Sequence, residues 1–516
     1  MPPLKRLSSL REICAMCVWQ WLLNCGRHQA VFTSHFSEQR KYLVSALSPL
    51  LRQRLLTIIL NMNNNKLFME TKCKLLQALG DDTTQWVDIT RGGAVFYDEM
   101  LCFYSTVGLV GSFNLTRLGA VCDARLISDQ KYISAVNSTF YWALKKMHNL
   151  IWITLGGIAD DTILKIVGTN CPQLQHLDVS SSLKVDDEGV AALILKNPQE
   201  VLGLSPQQVG RKALVTNSCC TTLNFVCVSN TQVSAMGAAL LLHCVPGLTS
   251  LGGYINACSL TSVIELLQPE DGITQFKLNQ LWDLDILPRE ASLLREVCQN
   301  IAAITTNEAS LAALHLVLPF ESLSVEADFK NTVDSLYNYL AIRGEVLKQL
   351  IITDSINCPL DLMWLIELTP NLERIEATLE AKQENVIPTW NDLREASVTV
   401  ASSITIVTLL THTPNLCDLN LTFLEGVYNE ESYKCINDEL LLLILMAGGL
   451  KKVEKLKIDQ CMISPYGLDL LLLHCPDLQY LAPLVCWPNI TQDEVDKLHA
   501  KAAQNNWVLK IVMRSD

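Results

Sequence analysis

Cys171-Pro172-Gln173-Leu174-Gln175-His176-Leu177 is one of five copies of the seam that decides the fold of this chain. Each copy follows an apolar stretch of helical character, and in each a proline is followed by a step of the form L-x-x-L or L-x-x-I. The other copies begin at Val245, Thr369, Thr413 and Cys475. Proline cannot continue a helix, and the residue before it avoids the helical region. The seam therefore predicts the end of a helix followed by a short strand whose leucines face inward.

The spacing of these steps indicates a repeat. The leucines that open the step lie 24 residues apart at Leu150 and Leu174, and 25 apart at Leu223 and Leu248. A unit of about 20 to 29 residues with one strand and one helix is typical of leucine-rich repeats, and the chain resembles that family. The resemblance implies an α/β solenoid of horseshoe shape. We predict about ten to twelve repeats over residues 83–484 and a C-terminal cap over 485–516.

The repeats resemble a particular subtype. A cysteine or threonine before the proline, and the Asp-Asp-Glu-Gly turn at Asp186 to Gly189, resemble the cysteine-containing repeats of F-box and related ligase receptors. The longer gap between Leu372 and Leu416 favours repeats that carry insertions.

Composition limits the class of function. The 516 residues are 49% apolar with a net charge of −13, so a nucleic-acid surface is not favoured. Nineteen scattered cysteines are typical of a reducing compartment. The N-terminus makes a poor signal peptide, and the longest apolar run, Leu440 to Leu450, is too short to span a bilayer. We expect a soluble cytoplasmic or nuclear protein, without a membrane partner or cofactor.

Residues 1–82 lack the proline seam and the leucine spacing of the repeats. One helix is predicted from the Ser-x-x-Glu capping box at Ser9 to a stop at Gly26, and a second from Tyr42 to Leu60. A helical prefix that only caps the open end of a solenoid is one interpretation.

A second interpretation follows from the spacing in the first helix. Ser9, Leu10, Cys14 and Val18 resemble the BC-box by which substrate receptors of cullin-2 and cullin-5 hold Elongin C. Leu10, Cys14 and Val18 share one helix face, as an amphipathic helix in an apolar groove requires. The resemblance implies that Leu10 fills the Elongin C pocket. Leu155 with Ala159 and Ile163 satisfies the relaxed motif too, but inside a repeat.

The second helix carries a related pattern. Leu47, Pro49, Leu51 and Leu55 resemble the cullin-2 box, with the proline one place later than in that motif. The same stretch resembles the Leu-Pro opening of an F-box, which binds Skp1, although no F-box-like tryptophan and basic stretch follows over 61–82.

The sequence shows no convincing catalytic or metal-binding motif. The chain has no phosphate-binding glycine loop, no His-Glu-x-x-His and no Gly-x-Ser-x-Gly, so we expect no enzymatic activity. Cys14, Cys17, Cys25 and His28 have ligand types for zinc, but one continuous helix would not let them converge. We therefore expect no metal.

These features predict a substrate receptor of a cullin–RING ubiquitin ligase, with a short α-helical box before the repeats. The implied partners are Elongin B/C and cullin-2, and a protein substrate of unknown identity on the concave strand face. Skp1 and cullin-1 replace the adaptor and cullin in the F-box alternative. A repeat scaffold without a ligase role stays a third interpretation.

Overall fold

A computed structural model of the chain describes most of its residues. The described ranges are 36–62, 68–90, 97–110, 114–122, 133–201, 203–253, 259–269, 272–284, 286–317, 319–326, 334–353, 359–381, 388–400, 402–424, 436–459, 461–505 and 507–512. They divide into two compact units. The N-terminal unit comprises residues 36–283 and 293–300, and the C-terminal unit comprises 284–292 and 301–512.

The N-terminal unit contains a parallel sheet of five strands, in the order β1 to β5. Its strands are β1 (Trp86–Asp88), β2 (Arg117–Val121), β3 (Trp152–Gly156), β4 (His176–Asp178) and β5 (Phe225–Cys227), with β6 (Gln280–Trp282) later in the chain. Its helices are α1 (Phe36–Ala46), α2 (Pro49–Leu60), α3 (Met69–Leu79), α4 (Tyr97–Val110), α5 (Ile133–Leu144), α6 (Asp161–Asn170), α7 (Asp187–Ile194), α8 (Pro206–Gly210), α9 (Ala235–Cys244) and α10 (Leu260–Leu266). Helix α11 (Pro288–Val297) follows in the chain.

The C-terminal unit is built on the same plan. Its strands are β7 (Ala303–Asn307), β8 (Ser322–Glu326), β9 (Gln349–Thr353), β10 (Leu360–Asp361), β11 (Arg374–Glu380), β12 (Glu395–Val400), β13 (Asp418–Phe423), β14 (Lys455–Ile458), β15 (Tyr480–Ala482) and β16 (Lys510–Ile511). Its helices are α12 (Glu308–Leu314), α13 (Asp334–Arg343), α14 (Leu362–Leu368), α15 (Ser403–His412), α16 (Asp438–Met446), α17 (Pro465–His474) and α18 (Gln492–Gln504). The strands β7 to β16 follow chain order in one parallel sheet, except that β10 pairs beside β11.

The proline seams end helices in one repeated geometry. The residue before each proline caps the preceding helix, with φ between −128° and −106° and ψ between 61° and 87°. Proline excludes the helical region at this residue, so the chain leaves the helix at the same point in every copy. The second leucine of the step, for example Leu177 or Leu481, is fully buried. The predicted α/β class with repeated helix–strand units and parallel strands is confirmed, while the horseshoe shape stays a prediction.

Carboxylates join pairs of packed helices in both units. Asp187, the first residue of α7, accepts hydrogen bonds from the backbone N–H groups of Ser234 (2.8 Å) and Gly237 (3.0 Å) at the start of α9. A Cβ atom on Gly237 would lie 2.5 Å from Asp187 Oδ1. In the C-terminal unit, a Cβ atom on Gly467 would lie 2.1 Å from Asp438 Oδ1. Glycine at the third position of α9 and α17 therefore lets the carboxylate reach the helix start.

The prediction of one helix from Tyr42 to Leu60 is wrong. The chain breaks at Leu47 and Ser48, and the helices on either side meet at 117°. Ser48 is extended (φ −60°, ψ 149°), caps α2 through its Oγ and precedes Pro49 at the first helical position. Pro49 has no backbone N–H to donate to an earlier carbonyl, and its ring would clash with a preceding helical turn. The leucines are therefore spaced as on one helix face, but the helix does not run through Pro49.

The interpretation of Leu372 to Leu416 as a repeat with an insertion is also wrong. An additional strand, β12, lies between these leucines and pairs with both β11 and β13. Leu393 is its buried opening leucine. Trp390 is fully buried just before it and donates from Nε1 to the Thr369 carbonyl oxygen (2.8 Å). The gap therefore contains two short repeats, the second opening without a proline seam.

Two further findings concern the composition. The thirteen cysteines within the described ranges are all free, and most are buried. Of the helices that the structure describes, none alone is long and apolar enough to cross a membrane, although Arg40–Ala46 and Pro49–Leu60 pass that test as a bent pair.

Candidate functional site

Helix α2 lies against the outer strand of the N-terminal sheet. The side chain of Gln53, which is buried on α2, accepts hydrogen bonds from Gln85 N (2.9 Å) and Trp86 N (3.2 Å) and donates to the Trp86 carbonyl oxygen (2.9 Å). The backbone of β1 that would otherwise offer a free edge is thus paired with a side chain. Helix α2 is therefore a cover for this end of the sheet.

The break before α2 is held by a buried arginine. Arg52 donates to the carbonyl oxygens of Val44 and Leu47 (both 2.6 Å) and forms an ion pair with Asp81 (2.5 Å). Burial opposes the charge on Asp81, but hydrogen bonds from Thr83 and Arg52 outweigh it and hold the pKa of Asp81 below its usual value. The sharp turn is thus part of the folded unit.

The residues that resemble a cullin-2 box have unequal exposure. Pro49 is exposed, Leu47 and Leu51 are half-buried, and Leu55 is fully buried. Only the first part of the pattern is accessible, because the second part belongs to the core beneath α2. The BC-box residues Ser9, Leu10, Cys14 and Val18, and the candidate zinc ligands Cys14, Cys17, Cys25 and His28, lie outside the described residues.

A row of large side chains crosses the exposed face of the N-terminal sheet. We call it the aromatic row: Trp86, Arg117, Trp152, His176 and Phe225, paired in register at the first position of β1 to β5. The rings of Trp152 and His176 are stacked with centroids 3.4 Å apart, and those of His176 and Phe225 with centroids 4.1 Å apart. Since the rings of Trp152, His176 and Phe225 lie face to face, this part of the row is a preformed and largely apolar ridge.

Arg117 connects the ridge to a carboxylate. Its Cζ lies 4.8 Å from the Trp152 ring centroid, and its Nε donates to Asp88 Oδ2 (2.7 Å). The guanidinium is thus held between an aromatic face and a carboxylate. Beside it is a groove of about 430 Å³, lined by Trp86, Trp152, Ile151 and the end of α2. The groove offers aromatic walls to a side chain that enters from solvent.

The stack sets the charge of His176. Burial lowers the pKa of His176 to about 4, and the Arg117 charge adds to this, while Asp178 opposes it. The imidazole is therefore neutral at physiological pH and behaves in the row as another aromatic ring.

The equivalent row of the C-terminal unit is ionic. Its members are Ser322, Gln349, Arg374, Glu395, Asp418, Lys455, Tyr480 and Lys510, again paired in register. Lys455 pairs with Asp418 (2.7 Å), and Arg374 with Glu395 (3.5 Å). We call this the ionic row.

Neither row is among the sites that the repeat pattern predicts, although the sequence carries a signal for both. In Leu115-Thr116-Arg117-Leu118 and Leu174-Gln175-His176-Leu177, the row residue is the third residue of the step. Aligning every step on its leucines places Trp152 and Phe225 at the same position. The signal lies between the leucines, where a search for the repeat alone does not look.

No group of three or more histidine, cysteine, aspartate or glutamate side chains suited to a metal occurs within the part of the chain that the structure describes.

Comparison with known proteins gives structural neighbours only. No family model and no curated protein matches the sequence. The crystal structure of the Rad7 and Elc1 complex in yeast is similar with a TM-score of 0.40 and 13% identity, over 99% of this chain and 99% of that chain. A crystal structure of a TLR13–ssRNA13 complex is similar with a TM-score of 0.27 and 12% identity, over 86% of this chain and 63% of that chain.

Proposed function

We propose that the chain is the substrate-recognition subunit of a cullin–RING E3 ubiquitin ligase. The helix at Ser9 to Val18 binds Elongin C, Elongin B and cullin-2 complete the assembly, and the aromatic row holds a protein substrate. The chain itself contributes binding and no catalytic step, in the cytoplasm or the nucleus.

The aromatic row is the observation that carries the binding part of this proposal. Tryptophan and arginine are the residue types that dominate the energy of protein interfaces, especially where their side chains are preorganised. Trp86 is 46% exposed, and Arg117 and Trp152 are half-buried on the same sheet face. A ridge of this kind on a repeat surface is suited to a protein ligand.

The adaptor part is supported by the placement of the competing motif. Leu155, Ala159 and Ile163 satisfy the same four-residue spacing, but all three are buried in the core of a repeat. They cannot enter the groove of a partner without unfolding that repeat. The BC-box match formed by Leu10, Cys14 and Val18 is not subject to this objection, because these residues precede the repeats in the sequence.

One binding experiment tests the adaptor. The full chain is purified with Elongin B/C, or with Skp1, and Leu10→Ser is compared with the control Met16→Ser, which the helical period places on the side opposite Leu10, Cys14 and Val18. We expect the parent chain and Met16→Ser to retain Elongin C, and Leu10→Ser to lose it with an unchanged thermal melting curve. Retention by Leu10→Ser contradicts the BC-box assignment, and capture by Skp1 instead supports the F-box alternative.

The size of residue 14 gives a second test of the same helix. Position 14 lies one turn after Leu10, so Cys14→Ala and Cys14→Ser should keep Elongin C while Cys14→Phe should lose it. A zinc site predicts loss of metal in Cys14→Ala and Cys14→Ser, because both remove the thiolate ligand. Bound zinc is therefore measured in the same samples. Stoichiometric zinc that disappears in Cys14→Ala would restore the metal-site interpretation.

A protein-interaction scaffold without a ligase role is the second candidate. It is favoured by Gln53 on α2, which pairs with the backbone of β1 and so accounts for this helix as a cover. Failure of both Elongin B/C and Skp1 to bind the intact chain would leave this candidate.

A further inference from the structure

We propose that the face beside the aromatic row takes an extended basic segment of a partner protein, with one large apolar side chain in the groove at Trp86 and Trp152 and one arginine or lysine on Asp178. This inference deepens the proposed substrate-holding role and rests on it, and its test needs no adaptor protein.

A second row of side chains runs parallel to the aromatic row. Two residues further along the strands, Asp88, Gly119, Thr154, Asp178 and Cys227 are paired in the same register. Gly119 has no side chain, and a Cβ atom there would lie 2.5 Å from Asp88 Oδ1. The second row therefore has small residues, Gly119 and Thr154, on β2 and β3, with the carboxylates of Asp88 and Asp178 on either side of them. Beside the large rings of the aromatic row, these small residues form a shallow channel across the strands.

The two carboxylates of the second row differ in their partners. Asp88 is saturated, because Oδ1 accepts from Thr90 N (3.0 Å) and Thr90 Oγ1 (2.6 Å) and Oδ2 accepts from Arg117. Asp178 Oδ1 accepts from Ser180 N (2.9 Å), and within the described residues its Oδ2 has no hydrogen-bond or ion-pair partner. Asp178 is also half-exposed. It is thus the carboxylate of the channel with capacity for an incoming donor.

The charge around Asp178 is not compensated within the row. His176, its neighbour along the strand, is neutral at physiological pH because burial in the stack lowers its pKa to about 4. Arg117 is already paired with Asp88. The face therefore has a local excess of negative charge, in a chain whose net charge is −13. Such a surface favours a cationic partner over an anionic one.

The distance between the groove and Asp178 specifies the partner further. The groove is centred on β2, between Trp86 and Trp152. Strand β4, which carries Asp178, is two strand positions from β2, or about 10 Å at about 4.8 Å per strand. An extended chain spans that distance in about three residues. The aliphatic stem of a lysine or arginine can pack along the ring edges while its charged head reaches Asp178. The preferred ligand is thus an extended segment with a large apolar residue and a basic residue about three positions apart.

Peptide selection on the intact chain tests this specificity. A random dodecapeptide library displayed on phage is selected on the full chain and counter-selected on Trp152→Ala. We expect enrichment of peptides with an aromatic or large aliphatic residue and an arginine or lysine about three positions from it. Enrichment of acidic peptides, or no enrichment beyond the Trp152→Ala counter-selection, overturns the proposal.

A double-mutant cycle on one selected peptide tests the contact itself. Asp178→Asn removes the charge, and glutamine in place of the basic peptide residue removes its partner. Each change should weaken binding about fivefold, and the two together should weaken it no more than either alone. Asp178→Glu should retain the preference for the basic peptide, and Asp418→Asn on the ionic row should leave the Kd unchanged.

The result that contradicts the contact is an unchanged Kd in Asp178→Asn with an unchanged melting curve, or additive effects of the two changes. Failure of the intact chain to bind either Elongin B/C or Skp1, together with successful peptide selection, would overturn the ligase proposal alone. Retained Elongin C binding with failed selection would overturn the basic-segment proposal alone.

Discussion

The aromatic row and the ionic row occupy the same position of the repeat and have opposite character. In the N-terminal unit this position holds stacked rings, with His176 between Trp152 and Phe225. In the C-terminal unit it holds exposed pairs such as Lys455 with Asp418. The strands beneath are equivalent, since the residue after each row member is buried in both units. The buried leucines thus determine where the row lies on the sheet, but they do not determine which side chains occupy it.

The two rows differ in what they contribute to folding and binding. An aromatic pair contributes about 0.5 to 1.5 kcal/mol beyond the area that it buries. An exposed ion pair contributes about 0 to 1 kcal/mol and is screened by salt. The aromatic row is therefore a rigid surface that a partner can use without ordering it first. The ionic row is a solvated surface whose pairs compete with water and salt.

The shared core gives the largest expected effects. Leu177→Ala in the N-terminal unit and Leu481→Ala in the C-terminal unit should each lower the free energy of unfolding by about 2 to 5 kcal/mol, because each empties a fully buried site. Urea unfolding measures the change. The exposed residues Leu183 and Leu473 provide one control in each unit, and their alanine variants should shift stability by about 0.5 kcal/mol at most. Unchanged midpoints in both core variants would refute the common strand register.

The second largest effects are expected where a carboxylate on one helix contacts the first turn of another. Gly237→Ala and Gly467→Ala should each destabilise by about 1 to 3 kcal/mol, because the added Cβ meets Asp187 in one unit and Asp438 in the other. A helix interior normally gains from this substitution, so the sign is diagnostic. Combining Gly467→Ala with Asp438→Ala should cost less than the sum of the two single changes. Stabilisation by alanine at either position would show that the helix starts are not in contact there.

The rows themselves should respond unequally. Trp152→Ala removes a stacking contact with His176 and the cation–π contact with Arg117, so we expect a loss of about 1 to 2 kcal/mol in the free energy of unfolding. Lys455→Ala removes an exposed pair and should cost about 0 to 1 kcal/mol. Raising the salt concentration should reduce only the second effect. Equal costs with equal salt dependence would remove the distinction between the two rows.

The smallest effect is a pH dependence of the aromatic row. The pKa of His176 is about 4 in the folded chain, against an ordinary value of 6.5 in the unfolded chain, so only the unfolded chain binds this proton between those pH values. This contribution to stability is complete above pH 6.5 and is lost as the pH falls towards 4. His176→Phe keeps a ring and removes the titration. Its stability relative to the parent should rise by about 1 kcal/mol from pH 7.5 to pH 4.5, allowing for partial solvent exposure. A difference independent of pH contradicts the buried neutral imidazole.

Several elements of the fold follow directly from local chemistry. Pro172 and Pro476 end helices because their rings cannot be accommodated there, and the buried Leu177 alternates with the half-buried His176 and Asp178 because a strand has a period of two. The repeat with parallel strands was predictable for these reasons. Strand β12 was not predictable, because no proline precedes its opening leucine, Leu393. The two repeats on either side of Leu393 are also shorter than the 24 to 25 residues of the other repeats.

The sequence by itself determined the repeating unit, the ends of its helices and the buried leucine positions, since these depend on contacts within one or two repeats. Only the tertiary structure decided which exposed residues act together. Arg117 and Trp152 are 35 residues apart in the chain and Trp152 and His176 are 24 apart, and only the register of β2, β3 and β4 places the three side by side. The same holds for the hydrogen bonds that Gln53 on α2 makes to the backbone of Trp86 on β1, and for the Oδ2 of Asp178, which has no partner within the described residues. Pairing between distant residues depends on how separate strands and helices pack.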